Sequence, residues 1–317
     1  MSLDRIRLAS LHDKVISAEE ASAFIEDGMT VGMSGFTRAG EAKAVPLALV
    51  KRAHTNPLKI TLITGASLGN DLDKQLTEAG VLARRLPFQV DNTLRKAINN
   101  GEVMFIDQHL SETVEQMRNL QLKKPDVAII EAVAITEDGG IIPTTSVGNS
   151  ASFAIFAEKV IVEINTNLSP AFEGLHDIYI PTYRPTRQPI PLTQVDERIG
   201  THAINIDPAK IVGIVINNDL HDSPSTVTAP DDETQGIADH LIAFFEKEVA
   251  EERLPKNLGP LQAGIGSIAN AVLTGLKDSN FEDLVMYSEV LQDCTFELID
   301  AGKMKFASGS SITLSAK

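Results

Sequence analysis

The chain has 317 residues, 43% of them apolar and 22% charged, which excludes a disordered or low-complexity protein and leaves room for two domains. Its 28 Lys and Arg against 43 Asp and Glu give a net charge of −15, a balance that repels nucleic acid and anionic membrane surfaces and argues against both as partners. The single cysteine, Cys294, rules out an intrachain disulfide and a Cys-rich zinc site. An anionic small molecule stays compatible with this charge, because a binding site needs only local positive groups. The first residues lack the apolar core of a signal peptide, and no run approaches the ~20 apolar residues of a membrane span. The expected location is the cytoplasm.

From residue 16 onward, short β-branched runs alternate with amphipathic stretches. Strands are predicted at 29–34, 59–64, 103–106, 126–133, 159–164 and 210–216, each a nearly continuous apolar run of the kind a strand covered on both faces requires. Helices are predicted between them, among others at 18–26 and 45–53. This alternation specifies an α/β fold with a mostly parallel sheet. The polar, turn-rich segment at 221–226 closes this first domain, expected to span residues 1–225.

A second unit, 226–317, opens with a predicted helix at 231–251 that places Ile237, Leu241, Phe244, Phe245 and Val249 on one face. A glycine-rich segment follows, then a helix at 268–276, a strand at 284–288, a helix ending before Gly302, and a final strand at 310–314. Two strands are too few for a covered sheet of the usual ~5–6 strands. The sequence is therefore expected to be the N-terminal part of a longer protein, with its second domain present only in part.

Two segments of this unit could carry chemistry. Gly264 to Ala269 fits G-x-G-x-x-A, with Glu289 downstream as the acidic partner of a dinucleotide site. The pattern should follow a strong strand, whereas Gly259 and Pro260 break the residues before it, which argues against nicotinamide binding. Two readings stay open: a tight turn before a helix, or paired glycines that let backbone N–H groups approach an anion or a developing oxyanion. Glu289 lies where the strand should end and a helix begin. Ligands in such folds gather at the carboxyl ends of parallel strands, though a carboxylate at a helix start is also stabilised simply by the helix dipole.

Other candidates are weaker. Gly32-Met33-Ser34-Gly35 lacks the spacing of a nucleophile elbow, and none of the seven histidines pairs as H-x-x-x-H, so no metal is expected. His109 reads as a polar structural residue and Cys294 as a small buried hydrophobe. The run Glu137-Asp138-Gly139-Gly140 reads as a strand connection.

Taken together and in order, several segments resemble the acetyl-CoA hydrolase/transferase family, the class I coenzyme A transferases. They are Ser34-Gly35-Phe36-Thr37 with Gly40, Leu62 to Ser67, Asp107-Gln108-His109-Leu110, Glu131 to Gly140, Ser146 to Ser150, Gln262 to Val272, and Tyr287-Ser288-Glu289-Val290. The resemblance implies two CoA-transferase-type (NagB/RpiA-like) open-sheet domains, the second incomplete, and a homodimer. It implies a catalytic glutamate after Tyr-Ser, here Glu289, and acyl-CoA contacts from Gln262, Ala263, Gly264, Ile265 and Gly266. The implied activity moves CoA between a short-chain acyl-CoA (succinyl-, acetyl- or propionyl-CoA) and a carboxylate such as acetate through a glutamyl-CoA thioester. The alternatives are acetyl-CoA hydrolysis and, outside the family, a nucleotide-binding module without a covalent step.

Overall fold

The computed structural model describes residues 3–225 and 231–316. The chain divides into two units, the first made of residues 1–190 and 199–223. In chain order this unit holds α1 (Ala18–Ser22), β1 (Thr30–Met33), α2 (Ala44–Ala53), β2 (Ile60–Thr64), α3 (Leu72–Glu78) and β3 (Leu82–Leu86). It continues with α4 (Asn92–Asn99), β4 (Met104–Phe105), α5 (Leu110–Arg118), β5 (Val127–Ile135), β6 (Ile141–Pro143), α6 (Ser150–Phe156), β7 (Lys159–Asn165) and β8 (Ile211–Asn217). Local chemistry sets the helix starts. At α1, Ser17 and Glu20 form a reciprocal capping box, and at α4 the Asp91 side chain accepts from the Leu94 N–H.

The sheet runs β4-β3-β2-β1-β5-β7-β8, all parallel, with β6 antiparallel on β5. Period-two alternation sends neighbouring residues of one strand into different cores. Val127 and Ile129 join Val31, Met33, Ile60 and Leu62 under helices α1 to α4, whereas Ala128 and Ile130 join Val160, Val162 and Ile164 with α5 and α6. A sheet covered on both faces accounts for the uninterrupted apolar runs that made β1, β2, β5, β7 and β8 legible. Strand β3 escaped that signal because Arg84 and Arg85 interrupt it. Arg85 is fully buried, held by a two-pronged ion pair to Asp73 at 2.8 and 3.2 Å. Helix α1 stops at Ser22 rather than at 26, and the 137–140 segment connects β5 to β6.

The second unit comprises residues 191–198 and 224–317; residues 226–230, which adjoin the expected boundary, lie outside the described ones. It holds α7 (Asp232–Ala250), β9 (Pro260–Leu261), α8 (Ser267–Asp278), β10 (Leu284–Tyr287), β11 (Val290–Leu291), α9 (Asp293–Asp300), β12 (Met304–Ser308) and β13 (Ser311–Ile312). Its strands form a parallel sheet β12-β10-β9 and a separate parallel pair β11-β13. The strands expected at 284–288 and 310–314 correspond to β10 and β13; β9 and β11, of two residues each, show no periodicity to read, and β12 (Met304–Ser308) was not expected either. The core gathers Leu273, Leu276, Phe281, Leu284, Met286 and Leu298.

The packed stripe of α7 also differs from expectation. Ala238 is buried, and Ile242, Phe245 and Val249 lie against the core, while Ile237 and Phe244 are exposed. Gly275 of α8 explains the choice: a Cβ there would stand 2.5 Å from Ile242 Cδ1, so its absence lets the two helices close on Ile242.

Candidate functional site

In the second unit, β9 and β10 are parallel neighbours in the register Val285 with Pro260 and Met286 with Leu261. Their carboxyl ends therefore face the same way. The segment 262–266 leaves one and Ser288-Glu289 leaves the other, so residues far apart in sequence become neighbours. The Ser288 hydroxyl donates to the Ala263 carbonyl at 3.0 Å and accepts from the Ala263 N–H at 3.2 Å. Gln292 Nε2 donates to the Gly264 carbonyl at 3.1 Å. The Ser288 N–H donates to the Ser308 carbonyl, and the Glu289 carbonyl accepts from the Ser310 N–H, both at 2.8 Å. The backbone at Glu289 is thus fixed on both sides.

The side chains of this corner face outward. Glu289, Gln262, Gly264, Ile265 and Gly266 are exposed and Ala263 half-buried. Glu289 forms no ion pair among the described residues. A Cβ added at Gly264 or Gly266 would meet nothing within 4 Å. Gly266, with φ of 135°, caps α8, a backbone angle that suits glycine. Helix α9 begins at Asp293, not beside Glu289, because β11 intervenes; the helix-dipole explanation of that carboxylate therefore falls away. Cys294 lies on α9, buried, its thiol 3.5 Å from Asn270 Oδ1 and pushed up to about 11 by burial.

The first unit carries a second polar centre that sequence reasoning missed. Beyond the end of β1 and beside β5, β7 and β8, Lys43 is fully buried with Glu41, Glu131, Glu163, Asn165 and Asn217. Lys43 Nζ lies 2.5 Å from Glu131 Oε2 and 2.7 Å from both Asp222 Oδ1 and the Glu41 carbonyl. Glu163 accepts the N–H groups of Lys43, Ala44 and Val45 at the start of α2. Burial pushes Glu131 up to about 8 and Glu41 up to about 7, and it raises Glu163 as well. Burial also works against the Lys43 charge, but Glu131, Asp222 and Glu41 outweigh it and hold the ammonium above its usual range. Together these shifts describe a cluster that keeps its lysine charged and favours the protonated form of its buried glutamates. The signal was present: Glu131 and Glu163 each interrupt an apolar run that must be buried on both faces, where a charge needs a partner.

Among the described residues, no group of three or more His, Cys, Asp or Glu side chains is arranged to hold a metal ion. No described helix is long and apolar enough to cross a membrane. His109 caps α5 without a side-chain hydrogen bond to its first turn.

Residues 2–216 match the model of the acetyl-CoA hydrolase/transferase N-terminal domain. The chain belongs to the acetyl-CoA hydrolase/transferase family. It is 46% identical over 98% of its length to a succinyl-CoA:acetate CoA-transferase of Clostridium kluyveri, covering 58% of that protein. It is 44% identical, again over 98% of its length, to an acetyl-CoA hydrolase of Kluyveromyces lactis, covering 61% of that one. The chain thus spans about three fifths of the curated relatives it matches. In fold it is similar to RipA from Yersinia pestis, with a TM-score of 0.67 at 18% identity over 96% of this chain and 69% of that one. The family and its open-sheet α/β architecture therefore agree with the resemblance carried by the motifs.

Proposed function

We propose that this family member transfers CoA between a short-chain acyl-CoA and a carboxylate such as acetate, with Glu289 as nucleophile. The observation that supports this most is the tie of the 262–266 loop to the strand end of Glu289 through Ser288 and Gln292. The Glu289 carboxylate attacks the thioester carbonyl, forming a mixed anhydride and expelling CoA thiolate. The thiolate then attacks the Glu289 carbonyl, releasing the first carboxylate and leaving a glutamyl-CoA thioester. An incoming carboxylate attacks that thioester, and the thiolate it frees attacks the new acyl group, restoring Glu289. Donor and acceptor halves mirror each other because the nucleophile is itself a carboxylate.

Residues Gln262, Ala263, Gly264, Ile265 and Gly266 are the proposed CoA contacts, since an open glycine segment lets N–H groups approach an oxyanion. One such donor is commonly worth ~3–4 kcal/mol in the transition state. The second unit is read as the first part of a C-terminal CoA-transferase domain following an N-terminal domain of residues 1–225. The protein is proposed to act in the cytoplasm as a homodimer, and the chemistry requires no metal.

Net hydrolysis of acetyl-CoA is the second reading. The exposure of Glu289 favours it, because water reaching the glutamyl thioester diverts transfer into hydrolysis. The test is intact-mass analysis of the full chain after mixing with acetyl-CoA, alongside product analysis with and without added carboxylate. Wild type is expected to carry a CoA adduct on the Glu289 peptide, and Glu289→Ala to lose both adduct and turnover while still binding CoA. Undiminished turnover in Glu289→Ala would overturn the assignment; CoA release that ignores the carboxylate would select hydrolysis.

A further inference from the structure

In the buried cluster of the first unit two carboxylate oxygens lack a hydrogen-bond donor, Asp222 Oδ1, which faces the Lys43 ammonium at 2.7 Å, and Glu41 Oε2. Lys43 Nζ donates to the Glu41 carbonyl and to Glu131 and forms an ion pair with Asp222. Glu131 also accepts from the Thr144 hydroxyl, and Asp222 from the Gly40 N–H and the Thr145 hydroxyl. Glu163 has its three amides. Glu41 has no ammonium on its unpaired oxygen: Oε1 accepts from Asn70 Nδ2 at 2.9 Å, while the buried Oε2 has no partner. This is no accident of loose packing. A Cβ at Gly69 would stand 2.3 Å from Glu41 Oε1 and one at Gly35 would stand 2.8 Å from Glu41 Cβ, so two glycines make room for the side chain.

The same cluster grips the last residues of this unit. Asp222 is held by Lys43, Gly40 and Thr145. Asn70, in a left-handed conformation beside Asp71, donates through its side chain to the His221 carbonyl at 3.1 Å and through its N–H to Ser223 Oγ at 2.9 Å. Glu41 and Asp222 are thus the two acidic ends of a clasp that fixes residues 221–223 to the loops after β1 and β2.

We infer that a proton on Glu41 keeps this clasp closed and that its loss loosens residues 221–223. With Glu41 neutral, the one ammonium answers Asp222 and the carboxyl of Glu131, while Glu163 is held by its three amides. With Glu41 ionised, a further carboxylate lacking a donor on Oε2 repels Asp222, the residue that closes the clasp. The charged and titratable groups around Glu41 are Lys43 on its own segment, Asp222 and His221 on the gripped segment, Glu131 on β5, Glu163 on β7, and Arg38, whose Cβ neighbours Gly69. Burial places the transition near neutrality, at about 7, which makes it reachable without unfolding the protein.

Hydrogen exchange of the Gly40 and Asn70 amides, the two that donate into the clasp, reads this directly. Corrected for intrinsic rates, wild-type protection is expected to fall roughly tenfold or more from about pH 6 to about pH 8.5, whereas Glu41→Gln, neutral and isosteric, keeps only the smaller fall due to Glu131, which titrates at about 8. Constant wild-type protection, or the same fall in Glu41→Gln, overturns the inference. A second measurement stands independently of that variant. The Glu41 carboxyl-carbon titration should move to lower pH in Asp222→Asn, which removes the repelling charge, and an unmoved midpoint is equally fatal.

Discussion

Both units place glutamates on parallel strands, within β5 and β7 in the first and just beyond β10 in the second, and treat them in opposite ways. In the first, Glu131 and Glu163 are sealed in, each donor around them assigned, and the lysine among them fully engaged. In the second, Glu289 has a fixed backbone and an exposed carboxylate, beside a glycine segment open to approach. A glutamate on a parallel sheet therefore supports either architecture or reactivity. What separates them is whether neighbouring side chains have already claimed the oxygen atoms.

Lys43→Met tests the sealed side most severely. It leaves the buried Glu131 and the half-buried Asp222 without their ammonium, and is expected to cost ~3–5 kcal/mol in denaturant unfolding of the first unit. A cost near that of a surface substitution would show that the cluster is merely tolerated. Gly69→Ala presses a methyl group against Glu41 Oε1 and should cost about 1–3 kcal/mol by the same assay.

Acidity offers a gentler probe. Glu41 and Glu131 titrate at about 7 and about 8 in the folded chain, above the ordinary 4.5. The folded state binds more protons in that interval, so stability should decline as pH rises from 4.5 through those values and level off beyond them. Melting temperatures rising between pH 5 and 8 would contradict both assignments.

On the open side the expected effects are smaller. Ser288→Ala removes both hydrogen bonds to Ala263 and should cost about 1 kcal/mol per bond at most, seen as increased exchange at the Ala263 amide. Gly264→Ala should change stability by less than about 0.5 kcal/mol, since its Cβ would touch nothing, yet weaken CoA binding measured by calorimetry. Unchanged CoA affinity there would detach the glycine segment from the proposed site.

The parallel sheet was readable because burial on both faces writes itself as unbroken apolar runs, as at 127–135. Strand β3 was not, since Arg85 is paid for by Asp73, a partner 12 residues away that no local pattern announces. The pairing of Glu289 with the glycine segment was suggested by motif. Its physical basis, two-residue strand β9 against β10, lies below the length at which periodicity exists. Lys43 went unnoticed for a related reason: a lysine at the start of a helix looks ordinary until β5, β7 and the 221–223 segment converge on it.

The state of Cys294 bears on how turnover can be watched. It is the chain's single cysteine, buried and with a thiol pushed up to about 11, so at neutral pH it offers almost no thiolate to an aromatic disulfide reagent. Colour developed by such a reagent during an assay of the native chain would therefore count liberated coenzyme A, with negligible background from the polypeptide.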